Sequence, residues 1–318
     1  MRGVFLDYSS VSYNADLDPA QLLSVLPALQ LHGESTPIEL LERLKKCEVA
    51  ILNKGSITRD VLVACPDLRL VALTGTGTNN VDLDAARERS VAVCNIRDYC
   101  TQSVVQHVFA VLLCLTHRLR EFDRAIKAGA WELEQQSLRE PGLSIRELSG
   151  KTIGIVGFGV LGKAVSVMAE AFGMRVLVAN LTPHPLPNRV AFAELLPQVD
   201  VLSLHCPLTP ETRHLVGTSQ LQLMRHDALL INTARGGLVD CQALANALRS
   251  GQLGGAACDV LPEEPPLSGN PLLASDLAQL IVTPHAAWAA REARQRAIDE
   301  VALNIVDFLN GGHRNRVV

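Results

Sequence analysis

The run Gly157-Phe158-Gly159-Val160-Leu161-Gly162 has the glycine spacing with which a main chain can approach a phosphate group. It directly follows an aliphatic run, Ile153–Val156, and precedes a helix-forming one, Lys163–Phe172, closed by Gly173. In that setting the glycines serve a tight turn, close approach of the backbone to a pyrophosphate, and close packing of helix on strand. The pyrophosphate then rests on the helix N-terminus, where unmet N–H groups and the helix dipole favour negative charge. The next strand ends at Ala179-Asn180, where a carboxylate normally takes the ribose hydroxyls of NAD. An amide at Asn180 keeps the hydrogen bonding without repelling a 2′-phosphate, so the cofactor expected is NAD or NADP, with His184 or Arg189 as the only nearby cations. Two more groups stand just beyond aliphatic runs. Arg235 follows Ala228–Ile231, and its planar fork suits a carboxylate. His285 follows Ile281–Thr283, and an imidazole near neutral pH can both give and take a proton. Taken singly, such an arginine is usually a surface cation and a histidine beside a proline usually structural.

These groups require elements to carry them. Val4–Leu6, Val49–Leu52, Leu70–Leu73 and Val91–Cys94 read as strands, with helices at Pro37–Lys46 and Asp82–Arg89. A larger series follows, with strands at Thr152–Val156, Arg175–Ala179, Asp200–Leu204, Ala228–Ile231, Gly255–Asp259 and Ile281–Thr283. Short aliphatic strands alternating with amphipathic helices indicate parallel sheets covered on both faces. Between the two series lies a long apolar helix, Thr101–Leu119, followed by a polar stretch, Arg120–Ser149, whose weak periodicity suggests an extended arm. Glu292–Leu309 reads as a closing amphipathic packing helix.

Composition agrees with a folded chain. The 318 residues are 48% apolar and 19% charged, enough for two domains with real cores. A net charge of −4, with no block of five like charges, argues against nucleic acid or an anionic membrane as partner. The longest apolar run, Val108–Leu115, falls far short of the roughly 20 residues a membrane-spanning helix needs. No secretion signal is visible at Met1–Tyr8, so the cytoplasm is the expected compartment. The eight cysteines show no metal-ligand spacing and read as reduced core residues, and no metal site is expected.

The glycine turn, His205-Cys206-Pro207-Leu208-Thr209, the run Asn232–Asp240, Asp259-Val260 and Thr283-Pro284-His285 together resemble the D-isomer-specific 2-hydroxyacid dehydrogenase family. Gly75–Asp82 and His285–Ala289 look most like its glycerate dehydrogenase, or hydroxypyruvate reductase, branch. The resemblance implies an α/β fold in which a Rossmann-like doubly wound cofactor domain, residues 101–286, is inserted into a smaller flavodoxin-like substrate domain, residues 1–100 and 287–318. It implies a homodimer with the Arg120–Ser149 stretch in the subunit contact.

For the site, the resemblance implies that Arg235 holds the substrate carboxylate and keto oxygen, that His285 is the proton donor, and that Glu264, the glutamate before Pro265, partners His285. A carboxylate against the imidazole fixes the ring and favours the imidazolium. Thr76 and Gly77 are expected at the substrate carboxylate, with Trp288 closing the pocket. Gly157, Phe158, Gly159, Val160, Leu161 and Gly162 are expected on the cofactor, with Asn180 at its ribose and His205, Cys206 and Pro207 beneath its adenine side. Thr233, Ala234, Asp259 and His285 are expected at the nicotinamide half. His107, in a strongly apolar helix, reads as structural, and Gln106 departs from the glutamate usual in the family. The expected reaction is reduction of a small 2-keto acid, foremost hydroxypyruvate to D-glycerate and also glyoxylate to glycolate. A phosphorylated hydroxyacid would call for further cations, of which Lys54 is the nearest, and a non-enzymatic NAD-sensing corepressor is the rival from another class.

Overall fold

The structure, a computed structural model, describes residues 1–129, 144–182, 184 and 186–318. The chain divides into two compact units, one of residues 1–100 and 288–318, the other of residues 101–287.

In the first unit β1 (Gly3–Phe5), β2 (Gln30–Leu31), β3 (Val49–Leu52), β4 (Leu70–Leu73) and β5 (Ala92–Cys94) form one parallel sheet in the order β2-β1-β3-β4-β5. That order is the flavodoxin-like winding. Every residue of β3 and β4 is buried, because helices cover both faces. Alternation sends Val4, Ala50, Leu52, Val71 and Leu73 to one face with Leu44 and Leu62. It sends Phe5, Val49, Ile51, Leu70 and Ala72 to the other, where the C-terminal helix Arg291–Leu309 supplies Ala297, Ile298, Val301 and Ile305. Helix Pro37–Leu44 starts where Thr36 and Glu39 cap each other and proline presets the first turn.

In the second unit β6 (Thr152–Val156), β7 (Arg175–Asn180), β8 (Val190–Ala191), β9 (Val201–Leu204), β10 (Leu229–Asn232), β11 (Gly255–Cys258) and β12 (Leu280–Val282) form a parallel sheet. Its order, β12-β11-β10-β9-β6-β7-β8, is the Rossmann order with one strand added. The winding reverses between β6 and β9, and ligands of open α/β sheets bind in the crevice at such a point.

Three details differ from the sequence reading. The helix beginning at Thr101 ends at Thr116, and Arg118 takes a left-handed φ of 53° before a new helix, Leu119–Lys127. The start of the stretch read as an arm is therefore helical, while residues 130–143 of it lie outside the described residues. The helix after the glycine turn begins at Val160 rather than Lys163, because Gly159 is its N-cap. Strands β2 and β8, of two residues each, are too short to leave a pattern. Among the described residues no helix is long and apolar enough to cross a membrane, and no group of three or more His, Cys, Asp or Glu side chains could hold a metal ion.

Candidate active site

The glycine turn follows β6 at the crevice of the second sheet. Gly157 has φ +94°, and a Cβ there would lie 2.5 Å from the Cys206 nitrogen, so the chain leaving β9 passes directly beneath the turn. A Cβ on Gly162 would lie 2.0 Å from the Gly157 carbonyl oxygen. A Cβ on Gly159 would meet nothing within 4 Å, and no side chain caps the helix that Gly159 opens. Two glycines thus close the turn on itself and the third leaves its outer side clear, the arrangement that lets a pyrophosphate reach the first N–H groups of a helix. Phe158 and Leu161 are half-buried and Val160 is 51% exposed on the rim. The residues fit a dinucleotide.

His205, Cys206 and Pro207 follow β9 beside this turn, with Cys206 buried and Pro207 exposed. The His205 ring lies 2.9 Å from Ser203 Oγ through Nε2, and its buried Nδ1 has no partner among the described residues. Burial pushes its pKa down to about 4, so the ring is neutral near pH 7. Asn180 ends β7. Its Nδ2 donates to the carbonyls of Thr182 and His184, and its Oδ1 accepts from the Thr182 N–H and hydroxyl. An amide next to a turn satisfies the local backbone in this way, and Asn180 ties Thr182 and His184 to the end of β7.

Along the other half of the sheet, the loops after β10, β11 and β12 are tied together by main-chain bonds. The Asp259 N–H donates to Asn232 O at 2.9 Å, and the His285 N–H donates to Asp259 O at 2.7 Å. At the end of β10, buried Asn232 accepts from the Ala234 N–H and donates to Arg235 O, which fixes Thr233, Ala234 and Arg235 in a turn. The Thr233 hydroxyl is buried with no partner among the described residues, a polar atom available to a ligand. Arg235 is exposed and its Nη1 donates to Ala234 O at 2.7 Å. Gly236, to which the sequence reading gave no role, lets this turn touch the next loop: a Cβ would sit 2.0 Å from the Leu261 carbonyl carbon.

The Leu261–Pro265 loop brings Glu264 to the histidine. Glu264 Oε2 lies 2.6 Å from His285 Nδ1, and Oε1 accepts from the Leu261 N–H. His285 itself has φ +52°, a left-handed conformation that a non-glycine residue holds only where its surroundings impose it. Asp259 supplies much of that constraint. It is 2% exposed, and its carboxylate accepts from the Thr283 hydroxyl and from the Ala286 and Ala287 N–H groups. The buried carboxylate is occupied in building the 283–287 turn.

Thr76, Gly77 and Trp288 belong to the first unit. The 75–77 turn follows β4, where the Thr76 hydroxyl donates to Ile96 O and Asn95 Nδ2 donates to Thr76 O. Gly77 is half-buried in this turn. Trp288 packs edge-to-face on Tyr99, ring centres 6.5 Å apart, against the core beneath the C-terminal helix. Packing is therefore what the structure shows for this ring.

Comparison with known proteins agrees with the geometry of the second unit. Residues 109–287 match the family model described as the D-isomer specific 2-hydroxyacid dehydrogenase, NAD binding domain. A glycerate dehydrogenase of Methylorubrum extorquens is 42% identical over 282 residues, covering 89% of each chain. A hydroxypyruvate reductase of Blautia hydrogenotrophica is 36% identical over 284 residues, covering 88% of this chain and 87% of its own. The crystal structure of the TT0316 protein from Thermus thermophilus covers the whole of both chains with a TM-score of 0.87 and 35% identity. A nicotinamide-dinucleotide oxidoreductase is the class that this fold and turn define. The chain belongs to the D-isomer-specific 2-hydroxyacid dehydrogenase family, and its cofactor is NAD or NADP.

Proposed function

We propose that this dehydrogenase reduces hydroxypyruvate to D-glycerate, and glyoxylate to glycolate, with Arg235, His285 and Glu264 as its working groups. The observation that carries the proposal is the 2.6 Å contact of His285 Nδ1 with Glu264 on a backbone held at φ +52°. With Nδ1 committed to the carboxylate, Nε2 is the ring nitrogen left to a substrate. It gives the proton that the developing alkoxide takes up, and takes it back in the reverse direction. The Arg235 guanidinium pairs with the substrate carboxylate and draws charge from the keto oxygen. When bound, the nicotinamide supplies the hydride that goes to the carbonyl carbon. Thr233 and the Gly157–Gly162 turn orient that cofactor, and the Thr76–Gly77 turn contributes main-chain N–H groups toward the substrate anion. Small substrates are favoured because the 75–81 turn carries no cation for a phosphate, and the names of the relatives in Methylorubrum and Blautia point the same way. No carboxylate ends β7, so nothing there repels a 2′-phosphate and NADPH serves beside NADH. The domain roles follow: residues 1–100 with 287–318 for substrate and 101–286 for cofactor, in a cytoplasmic homodimer.

The test is steady-state kinetics with hydroxypyruvate, glyoxylate, pyruvate and a branched keto acid against each cofactor. His285→Ala lowers turnover by about 10²- to 10⁴-fold, with the dissociation constant for NADH unchanged. Near wild-type turnover in that variant removes the assignment, and a preference for pyruvate over hydroxypyruvate removes the substrate.

A further inference from the structure

His107 stands in the helix Thr101–Thr116, far along the chain from the histidine at position 285, and its surroundings in sequence are apolar. The structure turns it toward the turn that carries His285. Its Nε2 lies 3.2 Å from the Thr283 hydroxyl oxygen and 3.7 Å from Asp259 Oδ1. One helical turn earlier, on the same face, the Ser103 hydroxyl donates to Ala287 O at 2.6 Å. One face of one helix therefore holds both ends of the 283–287 turn.

The hydrogens decide the direction of this chain. A threonine hydroxyl has a single proton, and at 2.5 Å from the Asp259 carboxylate that proton points to Oδ1. The Thr283 oxygen can then only accept from His107, so Nε2 carries hydrogen. Its N–H polarises the hydroxyl, which strengthens the bond to the carboxylate. The same carboxylate takes the Ala286 and Ala287 N–H groups, and the Asp259 carbonyl takes that of His285. We infer that His107 is a positioning residue for the catalytic turn: through Thr283 and Asp259 it keeps the residue-285 backbone in its left-handed conformation, and so keeps the imidazole of His285 on Glu264 and aimed at substrate. A misplacement of about 1 Å is enough to slow a reaction about 100-fold, and relaxation of a left-handed residue moves its side chain by at least that much.

The inference rests on the role proposed for His285, and its test separates the two. In the full-length enzyme with NADH and hydroxypyruvate, His107→Leu and Thr283→Val each lower kcat about tenfold or more while the KM for substrate and the Kd for NADH stay within about twofold. His107→Gln, which retains an N–H donor, recovers most of the loss. The double variant His107→Leu/Thr283→Val is no worse than either single one, since both cut one chain. In the unaltered protein, ¹⁵N NMR of the His107 ring finds the proton on Nε2. Wild-type kcat in His107→Leu, equal damage from leucine and glutamine, or a ring protonated on Nδ1 alone overturns the inference. Turnover retained in His285→Ala defeats the role of His285 instead, and the tautomer still decides the hydrogen-bond chain.

Discussion

Both units are doubly wound, and each has one place where the strand order reverses, yet the two treat that opening in opposite ways. Between β6 and β9 the chain lays down Gly157–Gly162, with open space over Gly159 and no side chain capping the helix behind it. Between β1 and β3 it places Asp7, 7% exposed, whose carboxylate accepts the N–H groups of Asn53, Lys54 and Gly55 at 2.9, 2.6 and 2.9 Å. Successive N–H groups at the end of a strand make an anion-binding concavity. In the first unit the protein fills that concavity from its own sequence, and in the second it leaves it for a ligand. Topology thus creates the opening, while one residue type decides whether it becomes a site.

The sharpest way to break the comparison is to put side chains on the glycines. Gly162→Ala brings a methyl to 2.0 Å from the Gly157 carbonyl oxygen, where backbone must move. A loss of about 4 kcal/mol is expected, read as lost amide-exchange protection over β6 and the following helix. Gly159→Ala leaves stability nearly unchanged, because its Cβ meets nothing, but raises the Kd for NADH at least tenfold by occupying the space the pyrophosphate needs. If Gly159→Ala binds NADH as the wild type does, the open side of the turn is not where the phosphates lie.

The first unit gives the complementary test. Asp7→Ala leaves three N–H groups without their acceptor, at a cost of about 3 kcal/mol once water replaces part of the loss. Exchange protection falls at 53–55 and in β3, while the Kd for NADH is unaffected. A stable Asp7→Ala protein that gains affinity for sulfate or phosphate at this loop makes the same point from the other side, because an outside anion then takes the place of the carboxylate.

How much of this was legible beforehand follows from the range of the interactions. Aliphatic strands of four or five residues, such as Leu70–Leu73 and Thr152–Val156, declare themselves, and so does a glycine turn bracketed by strand and helix. Glu264 and His285 are too far apart to be joined by any local rule, and the family resemblance paired them. A polar side chain at a strand end can serve a ligand, its own backbone or both, and only the fold shows that Asn180 ties Thr182 and His184 to β7 and that Asp259 builds the 283–287 turn. His107 had no signal at all, because its partners Thr283 and Asp259 stand just past strands that follow much later in the chain. Asp7 was passed over for the same cause, since the N–H groups it serves are 46 to 48 residues away.

The smallest effect concerns His205, which lies beneath the open turn and reports how dry that turn is. In the unfolded chain its imidazole takes up a proton near the ordinary 6.5, whereas burial delays this in the fold to about 4. Between those values unfolding binds a proton, so the stability is fully present above pH 6.5 and drains away as the pH falls toward 4. The loss is about 2 to 3 kcal/mol at ~1.4 kcal/mol per pH unit. His205→Gln has no proton to gain, so urea midpoints measured at pH 7.5 and 4.5 differ less in that variant than in the wild type. An identical pH dependence in both proteins means that the ring reaches water. The contrast with the first unit then narrows, because the turn over β9 is wet before any cofactor arrives and its open N–H groups are already answered by solvent.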